Sequence, residues 1–345
     1  MPLRVFQWAS GTVGRHAAKA CLDRSSLALV GLHSYSAAKI GKDVGEVLGR
    51  APTGVKVTGG IDAVLASEAD VVIHTPLPSL VYGDDPEQDV TDICRLLASG
   101  KNVITAVGYL YPKHHGEKLV ARLEAACHQG RSTFHSTGLN PGFMGDLLPL
   151  LLSALSRSVE RVELREVSNF QGYPSPEIMF DAMGFGSPEE KFSASSRRRK
   201  LWLDGLFSES ALMVSDGIGL GVDAIDGTLE LALAPADLQT ASGVVKRGTV
   251  AGQRYRWTGR AGAKEVMLSE TVWRMHESVA PEWPRGNHTI TLEGSPRMQL
   301  ELKHDFCSDG LLATAMHAVN AIPAVCAAAP GIKTFLDLPW IFPAK

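Results

Sequence analysis

The chain has 345 residues, of which 45% are hydrophobic and 21% charged, which is enough apolar sequence for two globular domains. Its formal net charge is −3, whereas nucleic acids and anionic membrane surfaces attract strongly basic proteins. We therefore expect neither a nucleic-acid partner nor a membrane partner.

The N-terminal segment and the cysteines favour a soluble, cytoplasmic protein. Met1–Arg4 leads directly into an apolar strand pattern, without the long apolar stretch of a signal peptide. No uninterrupted apolar run reaches the roughly 18 residues that span a bilayer. The five cysteines are dispersed and form no C-x-x-C pair, so reduced thiols are expected rather than disulfides or a metal site.

The first part of the chain alternates strand and helix patterns. The predicted strands are Leu3–Ala9, Leu27–Ser34, Ala69–Thr75, Asn102–Val107 and Ser132–Ser136. The predicted helices are Arg15–Asp23, Thr91–Ser99 and Gly116–Gln129. Strands that alternate with helices predict a parallel sheet covered on both faces.

Beyond about Val159 the pattern changes to longer runs of alternating apolar and polar positions. The predicted strands are Val162–Phe170, Thr228–Ala234, Val244–Thr258, Glu265–Met275, His288–Leu292 and Met298–His304. Such alternation is typical of antiparallel strands with one buried and one solvated face. Helices are predicted around Ser195–Ile218 and over the apolar segment Leu311–Ala329, which we expect to pack back on the first domain.

A glycine-containing turn follows the first predicted strand. It corresponds to the dinucleotide pattern G-x-G-x-x-G, with Ala9 in the first glycine position. Gly11 would let the backbone approach a pyrophosphate, Gly14 would let helix and strand pack closely, and the amides at the helix start would bind the diphosphate. The predicted cofactor-binding residues of this turn are Ser10, Gly11, Thr12, Val13, Gly14 and Arg15.

The end of the second predicted strand bears on the choice of dinucleotide. An acidic residue there would bind the ribose hydroxyls of NAD, but the sequence offers Ser34, Ser36 and Lys39. Hydroxyls beside a cation suit a 2′-phosphate, to which Arg15 could add a second cation, so NADP(H) is favoured. NAD(H) is the alternative if these are ordinary loop residues.

Other strand ends of this domain supply further candidates. Ligands of open α/β sheets lie beyond the carboxyl ends of the strands, which places Thr75 and Pro76 beside the cofactor. Asn140 follows the last strand and is predicted to anchor the nicotinamide carboxamide, with help from Ser136 and Thr137. A purely structural turn is the alternative for this segment.

Together these patterns predict an α/β fold in two domains. Residues 1–142, with residues 311–345 packing back on them, form a Rossmann-type nucleotide-binding domain with a parallel sheet. Residues 143–310 form an α+β substrate domain with a mostly antiparallel sheet. In its segment PEIMFDAMGFG, an apolar substrate-binding wall is predicted, with packing in the core as the alternative; the residues concerned are Met179, Phe180, Met183 and Phe185.

Five segments spread along the chain resemble one protein family. They read FQWASGTVGRHA, LVGLHSYSAAKIGKDVGEV, HSTGLNPGF, MFDAMGFG and NAIPAVCAAAPGIKTFLDLP. They are similar to the native amine dehydrogenases, which are related to 2,4-diaminopentanoate dehydrogenase and share the dihydrodipicolinate-reductase-like fold. The resemblance implies reductive amination of ketones or aldehydes, or the reverse oxidation of amines, with NAD(P)H. It also implies homodimers built through the sheet of the second domain, with the active site between the domains.

The sequence departs from this family at its catalytic position. After the strand KNVIT the amine dehydrogenases carry a glutamate that handles the protons of ammonia, and aligning this segment places Tyr109 there. A tyrosine side chain, with a reference pKa of about 10, donates a proton at neutral pH rather than accepting one from ammonium. Tyr109 and Tyr111 are the predicted catalytic residues, with an aromatic pocket wall as the alternative for both.

Three functions stay open at this point. The first is hydride transfer to the carbon of a C=N bond, or the reverse. The second is reduction of a ketone or aldehyde, which the tyrosine favours. The third is a nucleotide-binding sensor that has lost turnover. For the two enzymes we expect a small hydrophobic carbonyl, amine or imine as substrate, because the predicted wall is apolar.

Overall fold

The structure, a computed structural model, describes residues 1–195, 197–303 and 306–343 and divides into two compact units. The first unit comprises Met1–Phe143 and Leu311–Lys345, and the second comprises Met144–Gly310.

The strands and helices of both units follow the chain in this order. The strands are β1 (Leu3–Trp8), β2 (Leu27–His33), β3 (Val57–Thr58), β4 (Val71–His74), β5 (Asn102–Thr105), β6 (Thr133–Ser136), β7 (Ser158–Asn169), β8 (Ala224–Leu233), β9 (Leu238–Thr240), β10 (Gly243–Val245), β11 (Val250–Ala261), β12 (Lys264–Arg274), β13 (His288–Ser295), β14 (Met298–Leu302) and β15 (Gly331–Lys333). The helices are α1 (Thr12–Asp23), α2 (Val44–Leu48), α3 (Ile61–Leu65), α4 (Ser79–Tyr82), α5 (Gln88–Ala98), α6 (Glu117–Gly130), α7 (Leu148–Ser153), α8 (Glu189–Ser195), α9 (Arg197–Ile218) and α10 (Phe306–Ala327).

The first unit is built on a parallel sheet with the strand order β15-β6-β5-β4-β1-β2-β3. Its central strand β4 is fully buried, as expected for a sheet covered by helices on both faces. Apolar side chains of α1 and α10 pack against one face of the sheet, and those of α5 and α6 pack against the other. The predicted parallel α/β architecture is therefore confirmed.

Helix α10 is the most apolar long helix of the described residues. Its stretch Asp309–Ala327 has a mean hydropathy of 1.5 and is long enough, by length and composition alone, to cross a membrane. In the structure the helix packs in the core of the first unit, where Ala315, Ala318, Val319 and Ile322 are fully buried. In the structure 39% of that window is buried, so packing in this core accounts for part of the apolar composition of α10.

The second unit is built on a mixed sheet with the strand order β14-β13-β7-β12-β11-β8. All neighbouring strands are antiparallel except β7 and β12, which run parallel, so the predicted mostly antiparallel sheet is confirmed. On one face Val162, Met267 and Ile290 pack against Ala211 and Val214 of α9.

The opposite face of this sheet carries charged side chains around a buried carboxylate. The side chain of Glu270 is only 1% exposed. Arg165 Nε donates to Glu270 Oε2 at 2.6 Å, and Arg254 Nη2 lies 2.7 Å from Glu270 Oε1. Arg161 and Glu163 extend the same network along β7. The homodimer expected to use this sheet stays a prediction.

Most predicted strands have somewhat different bounds in the structure, one predicted strand is two strands, and one predicted helical region is divided. The prediction of one strand over Val244–Thr258 is wrong, because a turn separates β10 from β11. In this turn Thr249 N donates to Lys246 O at 3.1 Å, and Gly248 takes a left-handed φ of 77°. Strand β14 ends at Leu302 instead of His304, a residue outside the described ranges. The helical region predicted from Ser195 contains the end of α8 and all of α9.

Candidate functional site

The turn between β1 and α1 has the backbone conformation of a dinucleotide-binding turn. Ala9, in the position of the first glycine, has a left-handed φ of 74°, which glycine adopts more readily than alanine. The fully buried amide of Gln7 supports the turn, because its Nε2 donates to Trp8 O at 2.7 Å and to Ala9 O at 3.2 Å. The same Nε2 donates to Thr75 Oγ1 at 2.8 Å and so joins the ends of β1 and β4.

The two glycines of the turn serve different purposes. A Cβ on Gly14 would lie 2.1 Å from Ala9 O, so the close packing of α1 on β1 requires glycine there. At Gly11 no heavy atom of the described residues, apart from Gly11 and its two chain neighbours, lies within 4 Å of the position of a Cβ, so intramolecular packing does not require a glycine. Gly11 is exposed immediately before α1, which has no side-chain cap and no acidic residue in its first turn. An exposed, uncapped helix start with room beside it suits a phosphate.

The residues predicted to bind a 2′-phosphate lie close together beside this turn. Ser10 Oγ donates to Ser34 Oγ at 2.9 Å, and Ser34 Oγ accepts the backbone N–H of Ser36 at 3.1 Å. Lys39 Nζ lies 3.4 Å from Ser10 Oγ and has no carboxylate partner among the ion pairs of the described residues. Arg15 is exposed on the first turn of α1. The arrangement provides a cation and hydroxyl groups at the end of β2. Pro76, predicted to lie beside the cofactor, is half-buried after β4.

An aromatic cluster that the sequence analysis missed lies at the same strand ends. Trp8 Nε1 donates to Tyr35 Oη at 2.8 Å, and the rings of Trp8 and His33 stack with their centroids 4.6 Å apart. Burial lowers the pKa of His33 to about 4 and that of His74 to about 3, so both imidazoles are neutral at physiological pH. Tyr35 is 68% exposed and lies beside the nucleotide turn through its contact with Trp8. In the sequence, the signal for this cluster was the presence of aromatic and histidine residues at the ends of consecutive strands.

The two predicted catalytic tyrosines follow β5 in different environments. Tyr109 is half-buried, has a left-handed φ of 69°, and places its ring 5.4 Å from the ring of His115. The preceding Gly108 is held by its carbonyl, which accepts from Ser136 Oγ at 2.7 Å. Tyr111 is only 5% exposed, and Lys113 Nζ lies 5.5 Å from its ring centroid. Tyr109 is therefore the more accessible of the two.

The segment after β6 is held by hydrogen bonds to a residue of helix α10. His317 of α10 places Nδ1 2.7 Å from Thr137 Oγ1 and 3.1 Å from Gly138 O. Asn140 is half-buried and interrupts the helical conformation of Leu139–Leu147, together with the two residues that follow it. The sequence analysis assigned Thr137 and Asn140 to this region but missed His317.

The four residues of the predicted substrate wall lie in the second unit and differ in burial. Met179 is fully buried and Phe185 is 1% exposed, both inside the core of this unit. Phe180 and Met183 are only partly buried at the margin of that core. The structure thus gives Met179 and Phe185 the core position that was the alternative in the sequence analysis, which leaves Phe180 and Met183 as candidates for substrate contact.

Comparisons with known proteins agree with this fold. The family of the 2,4-diaminopentanoate dehydrogenase C-terminal domain matches residues 143–344, and the family of the dihydrodipicolinate reductase N-terminus matches residues 8–83. An amine dehydrogenase from Streptomyces virginiae is 29% identical, over 96% of this chain and 95% of its own length. A 2,4-diaminopentanoate dehydrogenase from Acetoanaerobium sticklandii is 25% identical, over 82% of this chain and 78% of its own length.

A solved structure shows the same arrangement of elements. The amine dehydrogenase from Mycobacterium smegmatis superposes with a TM-score of 0.80, at 22% identity, over 99% of this chain and 97% of that protein. The chain belongs to the amine dehydrogenase and 2,4-diaminopentanoate dehydrogenase family, with an N-terminal domain of the dihydrodipicolinate reductase type.

Proposed function

We propose that this protein is an NAD(P)H-dependent oxidoreductase that reduces a C=N bond derived from a ketone or aldehyde, or oxidises the corresponding amine. The turn between β1 and α1 carries the proposal, because Gly11 is left without an intramolecular packing role beside an uncapped helix start. The full-length similarity to an amine dehydrogenase supports the choice of substrate class.

In this proposal the first unit binds and orients the dinucleotide. The backbone amides from Ser10 to Val13 receive the diphosphate, and Asn140 and Thr137 hold the carboxamide of the nicotinamide ring. When bound, the reduced nicotinamide supplies the hydride. Phe180 and Met183 are proposed to contact a small hydrophobic substrate.

We propose NADP(H) as the preferred cofactor, with NAD(H) as the alternative. Lys39 and the hydroxyls of Ser10, Ser34 and Ser36 provide a cation and hydrogen-bonding groups for a 2′-phosphate. Replacing Lys39 by alanine is expected to weaken NADPH binding at least about tenfold, because a charge-assisted contact is lost. NADH, which has no 2′-phosphate, should keep its affinity, and titration of nicotinamide fluorescence measures both.

Lys42 provides the matched control for this prediction. It lies three residues further along the same loop, but it is paired with Glu46 at 3.0 Å. Lys42→Ala should leave the affinities for both dinucleotides unchanged. Equal weakening of NADPH and NADH by Lys39→Ala would show that Lys39 does not recognise a 2′-phosphate.

Tyr109 is proposed as the proton donor of the reaction. It follows β5, at the sheet edge where Thr75 and the segment after β6 also lie, and the alignment made in the sequence analysis assigns it to the position of the family's glutamate. A left-handed φ is unusual for an aromatic residue and accompanies functional sites when the surroundings enforce it. A tyrosine in this position favours the reduction of a ketone or aldehyde as the second candidate function, since no deprotonated ammonia is then needed.

Turnover by Tyr109→Phe tests this assignment. Loss of a general acid is expected to lower kcat about 100-fold, or about 2.7 kcal/mol, while NADPH affinity stays unchanged. Tyr111→Phe should retain activity if Tyr109 alone donates the proton. The oxidation of NADPH would be followed by the loss of absorbance of its dihydronicotinamide ring.

The substrate panel separates the candidate functions. Ketones would be tested with and without ammonium, beside preformed cyclic imines, for the wild type and for Tyr109→Glu. Turnover that requires ammonium, or that occurs with imines, supports the proposed function. Turnover of ketones without ammonium supports the carbonyl reductase. Tight NADPH binding without any turnover would instead indicate a sensor.

A further inference from the structure

The segment after β6 is held by hydrogen bonds of Thr137 and Gly138. Phe143 N donates to Gly138 O at 3.0 Å, which folds the segment back on itself. Thr137 N donates to Thr105 O at 2.9 Å and fixes the start of the segment to β5. His317 adds the contacts from α10, at 2.7 Å to Thr137 Oγ1 and 3.1 Å to Gly138 O.

These distances assign the protons in the contact. The carbonyl of Gly138 can only accept, so its contact with His317 Nδ1 requires a hydrogen on Nδ1. Burial lowers the pKa of His317 to about 4, so the imidazole is neutral and Nε2 carries no hydrogen. Thr137 Oγ1 therefore accepts from the same N–H and cannot donate its own proton to His317.

The hydroxyl proton of Thr137 is consequently available to a different acceptor. Thr137 is 2% exposed, and the structure shows no other hydrogen bond of its hydroxyl within the described ranges. A buried hydroxyl that is oriented by one partner and has its proton unused is a specific donor for a ligand. His317 Nε2 is also buried without a hydrogen-bond partner in the described part of the chain, which marks a second polar atom in the same region.

The position of His317 is itself well determined. Its ring stacks on Phe335, with the centroids 5.6 Å apart, and meets the edge of Phe143 at 5.3 Å. On either side of it along α10, Ala315 and Ala318 are fully buried in the core of the first unit. The imidazole is thus held against the segment after β6 by packing that does not depend on a ligand.

We propose that His317 is a positioning residue that directs the hydroxyl proton of Thr137 toward the carboxamide oxygen of a bound nicotinamide. This rests on the proposed function, because it assumes a dinucleotide with its nicotinamide end at the carboxyl edge of β6. His317 acts through Thr137, and it links the orientation of the nicotinamide ring to a helix from the end of the chain.

Two variants test the proposal, and both leave the packing nearly intact. Thr137→Val removes the hydroxyl at nearly constant volume, and His317→Phe keeps an aromatic ring between Phe335 and Phe143. Each is expected to weaken NADPH binding about tenfold, as for the loss of one oriented hydrogen bond. The double variant should be no weaker than Thr137→Val alone, since both changes remove the same interaction. Thr137→Ser, which keeps the hydroxyl, should restore the affinity.

A second probe separates recognition of the nicotinamide from general damage. The compound 2′-phospho-ADP-ribose lacks the nicotinamide ring, so its affinity should be the same for the wild type and all variants. Parallel weakening of this probe and NADPH would overturn the proposal, as would additive effects of the two substitutions or full NADPH affinity in His317→Phe. If the wild type binds neither NADPH nor NADH, the proposed function fails, an outcome distinct from unchanged affinities in the variants.

Discussion

Replacing Glu270 by glutamine is expected to lower the free energy of unfolding by about 3 to 4 kcal/mol. The carboxylate is 1% exposed and is the common partner of Arg165 and Arg254, at 2.6 and 2.7 Å. Glutamine has nearly the same shape, so the loss would come from removing the one buried charge that Arg165 and Arg254 share, which leaves them only their more exposed partners Glu163 and Glu230. Urea denaturation followed by intrinsic tryptophan fluorescence, to which Trp257 and Trp273 of the second unit contribute, measures the change.

An exposed ion pair provides the control for Glu270. Glu46 pairs with Lys42 at 3.0 Å, with side chains 59% and 49% exposed, and Glu46→Gln should change the free energy of unfolding by less than about 0.5 kcal/mol. Similar small effects of both substitutions would contradict a stabilising role for the buried network.

The effect of Glu270 should also depend on pH in a defined direction. Burial by itself raises the pKa of this carboxyl, but the hydrogen bonds from Arg165 and Arg254 outweigh burial and hold the pKa below its ordinary value. The stabilisation is therefore complete above the ordinary glutamate pKa of about 4.3, and it is lost as the pH falls through the lower pKa of the folded protein. The difference between the wild type and Glu270→Gln should shrink in acid, and a difference that grows in acid would contradict this assignment.

The architecture could be predicted from the sequence where one local pattern determines one element. The apolar run Val71–Ile73 of β4 and the alternation in β7 both predicted their strands, because burial on two faces or one face leaves a direct mark on composition. The turn before β11 was missed because Lys246–Gly248 interrupts the alternation only briefly. The parallel pairing of β7 with β12 depends on contacts about a hundred residues apart along the chain, such as Arg165 with Glu270, which periodicity does not record.

The candidate site was predictable in its glycines and less so in its supporting side chains. Gly11, Gly14 and Lys39 stand in a recognisable order after known strand patterns. Gln7 gave a weaker signal, as one amide in an apolar strand, and its three hydrogen bonds became visible only in the folded turn. His317 lies 180 residues from Thr137, so a polar residue in an apolar helix was the sole sign of their contact.

Replacing Gly14 by alanine is expected to lower the free energy of unfolding by about 3 kcal/mol or more, the upper range for an overpacked site. The new Cβ would lie 2.1 Å from Ala9 O and 2.9 Å from Gln7 Nε2, so α1 would have to move away from β1. That movement would also disturb the amide of Gln7, which holds the turn at the ends of β1 and β4. Thermal unfolding monitored by circular dichroism measures the loss.

Gly11→Ala makes the same chemical change three residues earlier and should have the opposite pattern of effects. Apart from residue 11 and its two chain neighbours, no heavy atom of the described residues lies within 4 Å of the new Cβ, and φ of −71° is accessible to alanine, so stability should change by less than about 1 kcal/mol. Dinucleotide affinity should nevertheless fall at least about tenfold, because the methyl group occupies the space through which a pyrophosphate approaches the backbone. Unchanged affinity in a stable Gly11→Ala protein would remove the main argument for a diphosphate at this turn. Lost stability in Gly14→Ala together with lost affinity in Gly11→Ala would instead show that the fold requires Gly14 and the ligand requires Gly11.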